Sequence, residues 1–487
     1  MEKNILAFDL GASSGRAILG TYNGETLTIQ EIHRFINEPV TLNGTMYWDV
    51  LRLFHEIKNS LIKAKKYGEI DSIGVDTWGV DFGLLDKNGK MLENPVHYRD
   101  RRTVGMIDES LQKIDHERFY NITGNQFMEI NTAFQLLSLQ KNRPEILERT
   151  ASLLMMPDLF NYFLTGIKSN EYSIASTTQL MDAHQRCWSR ELLEKLDIPE
   201  SIFQNIIETG TPIGPLCSEI CEELDMKPAQ VIAVAGHDTQ CAMVATPALE
   251  DDFIFLSCGT WSLFGTELES PLINKKSEHY NLTNEGGYSN KASFLKNIIG
   301  LWLVQESRRQ WIREGKEYDF TTLEGMAQTA KPFYTFIDPD ATEFIPSGNI
   351  PGRMREFCKR TKQSLPFTEA EIVRCIHESL AFKYRLALEE LKECTGKEYK
   401  NIYMLGGGVQ SKLLCQFTAN ACNCDVTAGP IEATVYGNMA IQLMATGDIA
   451  TLKAARKLIA SSTPLTIYHP QDIDEWNEAF LRFQNIV

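Results

Sequence analysis

Ile232-Ala233-Val234-Ala235-Gly236-His237-Asp238-Thr239 is an apolar run that ends in a glycine and hands over to a histidine and a carboxylate. The run reads as a buried strand of an α/β scaffold. Asp238 then sits where the strand runs out, the place where such folds gather binding and catalytic groups. Two readings of Asp238 follow. It is a turn or N-cap residue, a common role for aspartate, or it is the base of a phosphoryl transfer to which other elements bring a phosphate donor and a hydroxyl. Alone, Gly-His-Asp-Thr favours the first; two further stretches favour the second.

The first lies at the N-terminus. Ile5–Phe8 reads as a strand, Asp9-Leu10-Gly11-Ala12-Ser13-Ser14-Gly15-Arg16 as a small-residue turn, and Ala17–Gly20 as a returning strand. Glycines let backbone N–H groups approach an anion, and the serines add hydroxyl donors. A carboxylate beside such donors, Asp9, makes sense with Mg²⁺ between it and a phosphate, through water. A plain Gly/Ser hairpin is the competing reading.

The second is Phe253-Ile254-Phe255-Leu256-Ser257-Cys258-Gly259-Thr260-Trp261-Ser262-Leu263-Phe264-Gly265, which repeats the strand, Gly/Ser/Thr turn and strand of the N-terminus. It follows a Pro- and acid-rich boundary at Ala245–Asp252. The echo predicts a duplicated domain with two phosphate hairpins facing each other across a cleft, cut into 1–248 and 249–487. In the second half, Ile402–Leu405 reads as a strand running into Gly406-Gly407-Gly408. The glycines would clear a helix N-terminus for a flat ring and its phosphates; a tight strand-to-helix turn is the alternative.

Asp76-Thr77-Trp78-Gly79-Val80-Asp81-Phe82 puts a tryptophan, a bare glycine and two carboxylates together. That suits a polyol, with an apolar wall for the sugar face and acceptors for its hydroxyls, or a core tryptophan among turn carboxylates. Tyr98-Arg99-Asp100-Arg101-Arg102 reads as a self-paired surface loop or lid. Leu51, Phe54, Ile57, Leu61 and Ala64 fall at helical spacing. Thr368 and Glu371 form a capping box for a long helix.

The chain has 487 residues, 43% of them hydrophobic, enough for a large core divided over several domains. Its net charge of −16 argues against nucleic acid or a membrane surface as partner. The residues up to Asp9 are too short an apolar run for a signal peptide, and no run is long enough to span a membrane. The 11 cysteines show no metal-ligand spacing, so reduced thiols and a cytoplasmic location are expected.

Asp-Leu-Gly-Ala-Ser-Ser-Gly-Arg, Gly-His-Asp-Thr, Ser-Cys-Gly-Thr-Trp-Ser and Leu-Gly-Gly-Gly occur in an order and spacing that resembles the FGGY carbohydrate kinases over essentially the whole chain. The resemblance implies an α/β fold of two duplicated RNase H-like domains, as in actin, hexokinase and Hsp70, around a central cleft. It implies ATP and Mg²⁺ as cofactors and a small-molecule ketose as substrate. Ala12, Ser13, Ser14, Gly15 and Arg16 would cradle ATP phosphates, Thr260 would hold phosphate from the second hairpin, Gln305 would contact ATP, and Gly407 would lie under the nucleotide. Gly79, His237, Asp238, Thr239 and Asn297 would bind the sugar, with Asp238 as proton acceptor. Alternatives are a kinase of another ketose or polyol (L-fuculose, a pentulose, glycerol), a non-catalytic ATP-dependent sugar sensor, and an actin-like filament subunit.

Overall fold

The structure is a computed structural model that describes residues 2–487. The chain forms two compact units. Unit 1 takes in the residues up to Leu249 together with Leu268–Phe294 and Ala433–Ser462; unit 2 takes in Glu250–Glu267, Leu295–Glu432 and Thr463–Val487. The expected cut at 248/249 thus marks the first crossing only, because two later segments return to unit 1.

Unit 1 is built on a six-stranded sheet of β1 (Lys3–Leu10), β2 (Ser14–Tyr22), β3 (Leu27–Ile36), β4 (Ser72–Thr77), β5 (Thr211–Pro215) and β6 (Gln230–Ala233), in the order β5-β6-β4-β1-β2-β3. β1, β4 and β6 are parallel; β2, β3 and β5 run against their neighbours. The last six residues of β1 and all of β4 are buried, because helices cover the parallel centre of the sheet on both faces.

Unit 2 repeats this plan. β7 (Ile254–Cys258), β8 (Trp261–Leu268), β9 (Ala292–Ile299), β10 (Asn401–Leu405), β11 (Asp425–Ala428) and β12 (Thr466–Tyr468) lie in the order β9-β8-β7-β10-β11-β12. β7 makes an antiparallel hairpin with β8 and parallel pairs onward to β10 and β11, and β12 closes antiparallel. These six strands match β3-β2-β1-β4-β6-β5 in order, and a seventh, Thr283–Gly286, extends the sheet beyond β9. The short echo between Leu6–Gly20 and Phe253–Gly265 therefore marks a duplication of whole domains.

Local chemistry sets the helices. α1 (Val50–Ala64) is capped by Asp49, which accepts from the Arg52 N–H at 3.1 Å. It buries Val50, Leu53, Ile57 and Leu61; Leu51, expected on that stripe, is 63% exposed, so the inward face is turned by one residue at its start. α2 (Met156–Thr165) stops at Gly166, which adopts φ 76°. α3 (Asp238–Val244) opens after the turn Val234–His237 that follows β6. In unit 2, α4 (Trp302–Arg313) precedes the 27-residue α5 (Glu369–Thr395), whose Thr368/Glu371 capping box forms as its sequence predicts, and α6 (Lys412–Cys422) follows β10.

α7 (Ala433–Ala445) carries the chain back to unit 1. Gly437 faces α3 so closely that a Cβ there would lie 1.7 Å from the Cys241 carbonyl oxygen. Gln442 donates to the Leu6 carbonyl at 3.2 Å and accepts from Ser72 Oγ at 2.7 Å, binding the helix to β1 and β4 through polar groups buried in the sheet face. None of the eleven cysteines forms a disulfide, and Cys358 and Cys375 are both buried.

Candidate active site

Register assembles the carboxylates of unit 1. Asp9 pairs with Arg16 across the β1/β2 hairpin and with Asp76 across the parallel β1/β4 pair. The Arg16 guanidinium grips one Asp9 oxygen with Nε at 3.0 Å and a terminal nitrogen at 2.7 Å. Asp76 is fully buried: one oxygen accepts from Asn438 of α7 at 2.6 Å, and Oδ1 has no hydrogen-bond partner. Burial first, and then the Asp9 charge, hold Asp76 well above the usual carboxylate range against the opposing amide of Asn438.

Asp238 joins this group. The Thr77 N–H donates to the Gly236 carbonyl at 2.9 Å, so the end of β4 lies beside the turn into α3. The Asp238 side chain is 32% exposed, yet enclosure by protein raises its pKa to about 6; His237 works against that rise and Asp9 adds to it. Asp238 does stand at a helix start, but His237 is the N-cap residue, so the capping reading does not account for its carboxylate.

The turn before Asp238 is rigidly held. The buried Glu171 accepts from the Gly236 N–H at 2.9 Å, from the N–H groups of Ser173 and Ile174, and from the Thr209 hydroxyl. A side chain at position 236 would meet Pro157 at 2.7 Å, which explains the glycine of the motif. His237 donates its N–H to Ser173 Oγ at 3.3 Å, and its ring nitrogen Nδ1 lies 2.9 Å from Glu285 Oε2. Burial favours the neutral ring, but Glu285, then Asp238 and Glu171, outweigh it and lift the His237 pKa to about 9.

The Trp48 and Trp78 rings pack tilted with centroids 4.0 Å apart, and His97 stacks on Trp48 at 4.1 Å. Asp81 accepts from Trp48 Nε1 at 2.6 Å, Trp78 Nε1 at 3.0 Å, Gln135 Nε2 at 2.9 Å and the Tyr98 N–H at 3.2 Å. Asp81 is therefore saturated inside the protein, and Asp76 is fully buried with only one oxygen bonded. They position the aromatic wall and the strand end; they are not the open hydroxyl acceptors that the sequence alone allows. The Tyr98–Arg102 segment is likewise no self-paired surface loop: Tyr98 is buried on this cluster and Arg102 donates to Gln135 at 2.7 Å. Gly79 borders His237, with Nε2 3.5 Å from where a Cβ would stand.

The hairpin turn Ala12–Ser14 is at least partly exposed, and Asn37 buttresses it by donating to the Gly11 and Ser13 carbonyls at 2.8 and 3.2 Å. Gly15 packs instead against the Phe35 ring, which a Cβ would approach to 2.2 Å. In unit 2 the equivalent turn is Gly259-Thr260. The start of α4 is fastened to it: Leu301 N–H donates to Gly259 O at 2.9 Å and Trp302 N–H to Thr260 O at 3.2 Å. Thr260 Oγ1 reaches Gln305 of α4 at 3.3 Å, joining two residues that lie 45 apart in sequence. Asn297 is half-buried on β9.

The glycine triplet divides its roles. A Cβ at Gly408 would lie 2.2 Å from Cys258 Sγ, and Gly406 adopts φ 81° against the Cys258 carbonyl, whereas a Cβ at the exposed Gly407 would meet nothing within 4 Å. A 3₁₀ turn, Gly407–Gln410, separates the triplet from α6, which Ser411 caps at 3.2 Å to the Leu414 N–H. The triplet thus offers an open backbone surface at Gly407, without the α-helix N-terminus expected there.

These features fit Mg²⁺ and a nucleotide phosphate. Asp76 Oδ1 is an unpartnered buried oxygen beside Asp9, and among the described residues no group of three or more His, Cys, Asp and Glu could hold a metal ion. A cation here would complete its shell with phosphate and water oxygens, as Mg²⁺ commonly does.

Sequence models of the N-terminal and C-terminal domains of the FGGY family of carbohydrate kinases match residues 4–245 and 254–446. This chain belongs to the FGGY carbohydrate kinases. It is 42% identical over 488 residues to a rhamnulokinase of Bacteroides thetaiotaomicron, covering 100% of both chains, and 42% identical to a rhamnulokinase of Halalkalibacterium halodurans, covering 96% of this chain and 99% of the other. Its fold is similar to ligand-bound xylulose kinase from Lactobacillus acidophilus (TM-score 0.81, 17% identity, 99% and 97% coverage) and to Plasmodium falciparum glycerol kinase with ADP (TM-score 0.79, 18% identity, 99% and 97% coverage). As an FGGY kinase it is a phosphotransferase acting on a sugar hydroxyl. No helix among the described residues is long and apolar enough to cross a membrane.

Sequence reasoning did not find Glu171, Glu285, Asn37 or Asn438. Each acts on the site from a distant segment, and none carries a local motif.

Proposed function

We propose that this FGGY kinase transfers the terminal phosphoryl group of ATP to the primary hydroxyl of L-rhamnulose, giving L-rhamnulose 1-phosphate and ADP in the cytoplasmic breakdown of L-rhamnose. A small-molecule ketose is its partner; nucleic acid is not. The sugar follows the relatives whose 37–42% identity extends over nearly the whole chain. The chemistry rests on one observation: Asp238, partly open at a strand end, is enclosed enough to be a stronger base than an ordinary carboxylate while ionised at neutral pH.

Magnesium-bound ATP supplies the electrophilic phosphorus and, with its metal, neutralises phosphate charge. The backbone and hydroxyls of Ala12, Ser13 and Ser14 hold phosphate from one hairpin and Thr260 from the other. Gly15 lets β2 close against Phe35 behind that turn, and Arg16 balances Asp9, which would hold the metal through water. Gln305 orients Thr260 and contacts the nucleotide, and Gly407 gives it a flat backbone surface. Gly79, His237, Thr239 and Asn297 bind the sugar and orient its primary hydroxyl, and Asp238 takes the hydroxyl proton as oxygen attacks phosphorus. Positioning and electrostatics carry most of such a reaction.

ADP release measured against L-rhamnulose, L-fuculose, D- and L-xylulose, L-ribulose and glycerol tests the reading. L-rhamnulose is expected to give the highest kcat/KM. A clear preference for another sugar reassigns the substrate, and ATP use that ignores every sugar removes the kinase reading. Asp238→Asn is expected to lower kcat by about 10²–10⁴-fold with nucleotide binding kept; turnover within about tenfold of wild type rules out Asp238 as the base.

A further inference from the structure

We propose that Glu285 is a positioning residue for phosphoryl transfer, fixing the His237 imidazole through Nδ1 so that Nε2 is presented to Asp238 and to the space beside Gly79. The inference rests on the kinase reading and adds a residue to it. Glu285 lies on the strand Thr283–Gly286, 48 residues from His237 in sequence, and is 5% exposed.

A one-way chain of hydrogen bonds determines the ring's state. Ser293 Oγ donates to Gln240 Oε1 at 2.7 Å, which fixes the orientation of that amide. The Gln240 NH₂ group then donates to Glu285 Oε2 at 3.0 Å, and the same oxygen lies 2.9 Å from His237 Nδ1. An ionised carboxylate only accepts, so Nδ1 carries a proton. Nε2 is left as the working nitrogen, 3.5 Å from Asp238 Oδ1 and 3.5 Å from the site of a Gly79 Cβ.

The groups whose charges bear on the ring are Glu285, Asp238 and Glu171; those bearing on Asp238 include His237, Asp9 and Asp76. Among them His237 alone is cationic, and it offsets Asp9, which pushes the Asp238 proton affinity upward. Without Glu285 the buried ring would lose the charge that holds its proton, because burial favours neutral imidazole. Asp238 would then face Asp9 without a neighbouring imidazolium. The fixed ring also gives the sugar one donor of set direction, which accounts for a buried three-residue chain behind a single histidine.

The full-length enzyme carrying Glu285→Gln, His237→Asn or both distinguishes this role from a purely structural one. For Glu285→Gln, kcat/KM for L-rhamnulose is expected to fall roughly 10- to 100-fold while KM for ATP stays within about twofold. The acid limb of the sugar kcat/KM profile should move to higher pH, since Asp238 loses its cationic neighbour. The double variant should be no slower than His237→Asn alone. Losses that multiply in the double variant, or an unmoved acid limb with both KM values raised, would overturn the proposal.

A second measurement does not depend on turnover or on the variant's folding. In wild-type protein with ¹⁵N-labelled histidine, with His237→Asn used for assignment, the His237 ring should carry a proton on Nδ1 at neutral pH; an Nδ1 without one overturns the proposal. If the wild type phosphorylates no ketose, the kinase reading fails by itself and the ring measurement still decides the Glu285–His237 pair.

Discussion

At the residue scale, environment makes four similar aspartates different. Asp9 is tied to an arginine, Asp76 is buried with one oxygen unpartnered, Asp81 is surrounded by four donors, and Asp238 is partly open. Of the four, the last has the most exposed carboxylate, and it is the one proposed as the base. Because its folded pKa lies near 6, sugar kcat/KM should be level at neutral pH and fall about tenfold per pH unit below about pH 6, where the carboxyl holds its own proton. A profile level down to pH 4.5 counts against Asp238 as the base. Asp81 gives a stability counterpart. Burial raises its pKa from 3.8 to about 6, so the folded state binds its proton more tightly than the unfolded chain. Wild-type stability from this group is thus fully present below about pH 4 and is lost as pH rises to about 6. Asp81→Asn removes that dependence. Urea unfolding should find the variant's deficit smaller at pH 7 than at pH 4 by on the order of 2 kcal/mol; an equal deficit at both would refute the assignment.

At the element scale, glycines mark where backbones approach. Gly408→Ala forces a Cβ onto Cys258 and should cost about 1–3 kcal/mol of stability by overpacking. Gly407→Ala, one position earlier, enters open space and should leave the melting temperature unchanged while raising KM for ATP. The reverse pattern would mean that the triplet's open face lies elsewhere. Gly437→Ala is predicted to be at least as damaging as Gly408→Ala, since the opposing atom is a rigid backbone carbonyl of α3. Elements and hairpins were largely legible in sequence. Local signals carried them: the β1 and β7 apolar runs, the Thr368/Glu371 cap, Gly166 at a helix end. What stayed illegible was the partner of each polar group. Asp81 looked like a sugar ligand because Trp48, Tyr98 and Gln135, which saturate it, lie 17 to 54 residues away. Leu51 misled because one apolar residue beside a buried stripe satisfies helical spacing as well as the true face does.

At the scale of the whole molecule, duplication gave two sheets of one plan, and the repeated hairpin was its visible trace. The exchange of segments between units had no such trace. α7 follows unit 2's last parallel strand in sequence, yet its Asn438 and Gln442 serve β4 and β1 of unit 1. A fragment ending at Leu249 therefore lacks the Asp76 partner and the helix that covers α3. It is predicted to unfold without a cooperative transition, whereas the full chain unfolds cooperatively. Circular dichroism melts of both constitute the test, and a sharp melt of the fragment would show unit 1 to be autonomous.

That return of the chain also orders events at the ribosome. Asp9, Asp76 and Asp238 are all synthesised well before the amide that seats the second of them, and Asn438 emerges only when most of the polypeptide is outside the exit tunnel. A nascent chain stalled between Asp238 and Asn438 carries all three carboxylates but lacks the amide that seats Asp76.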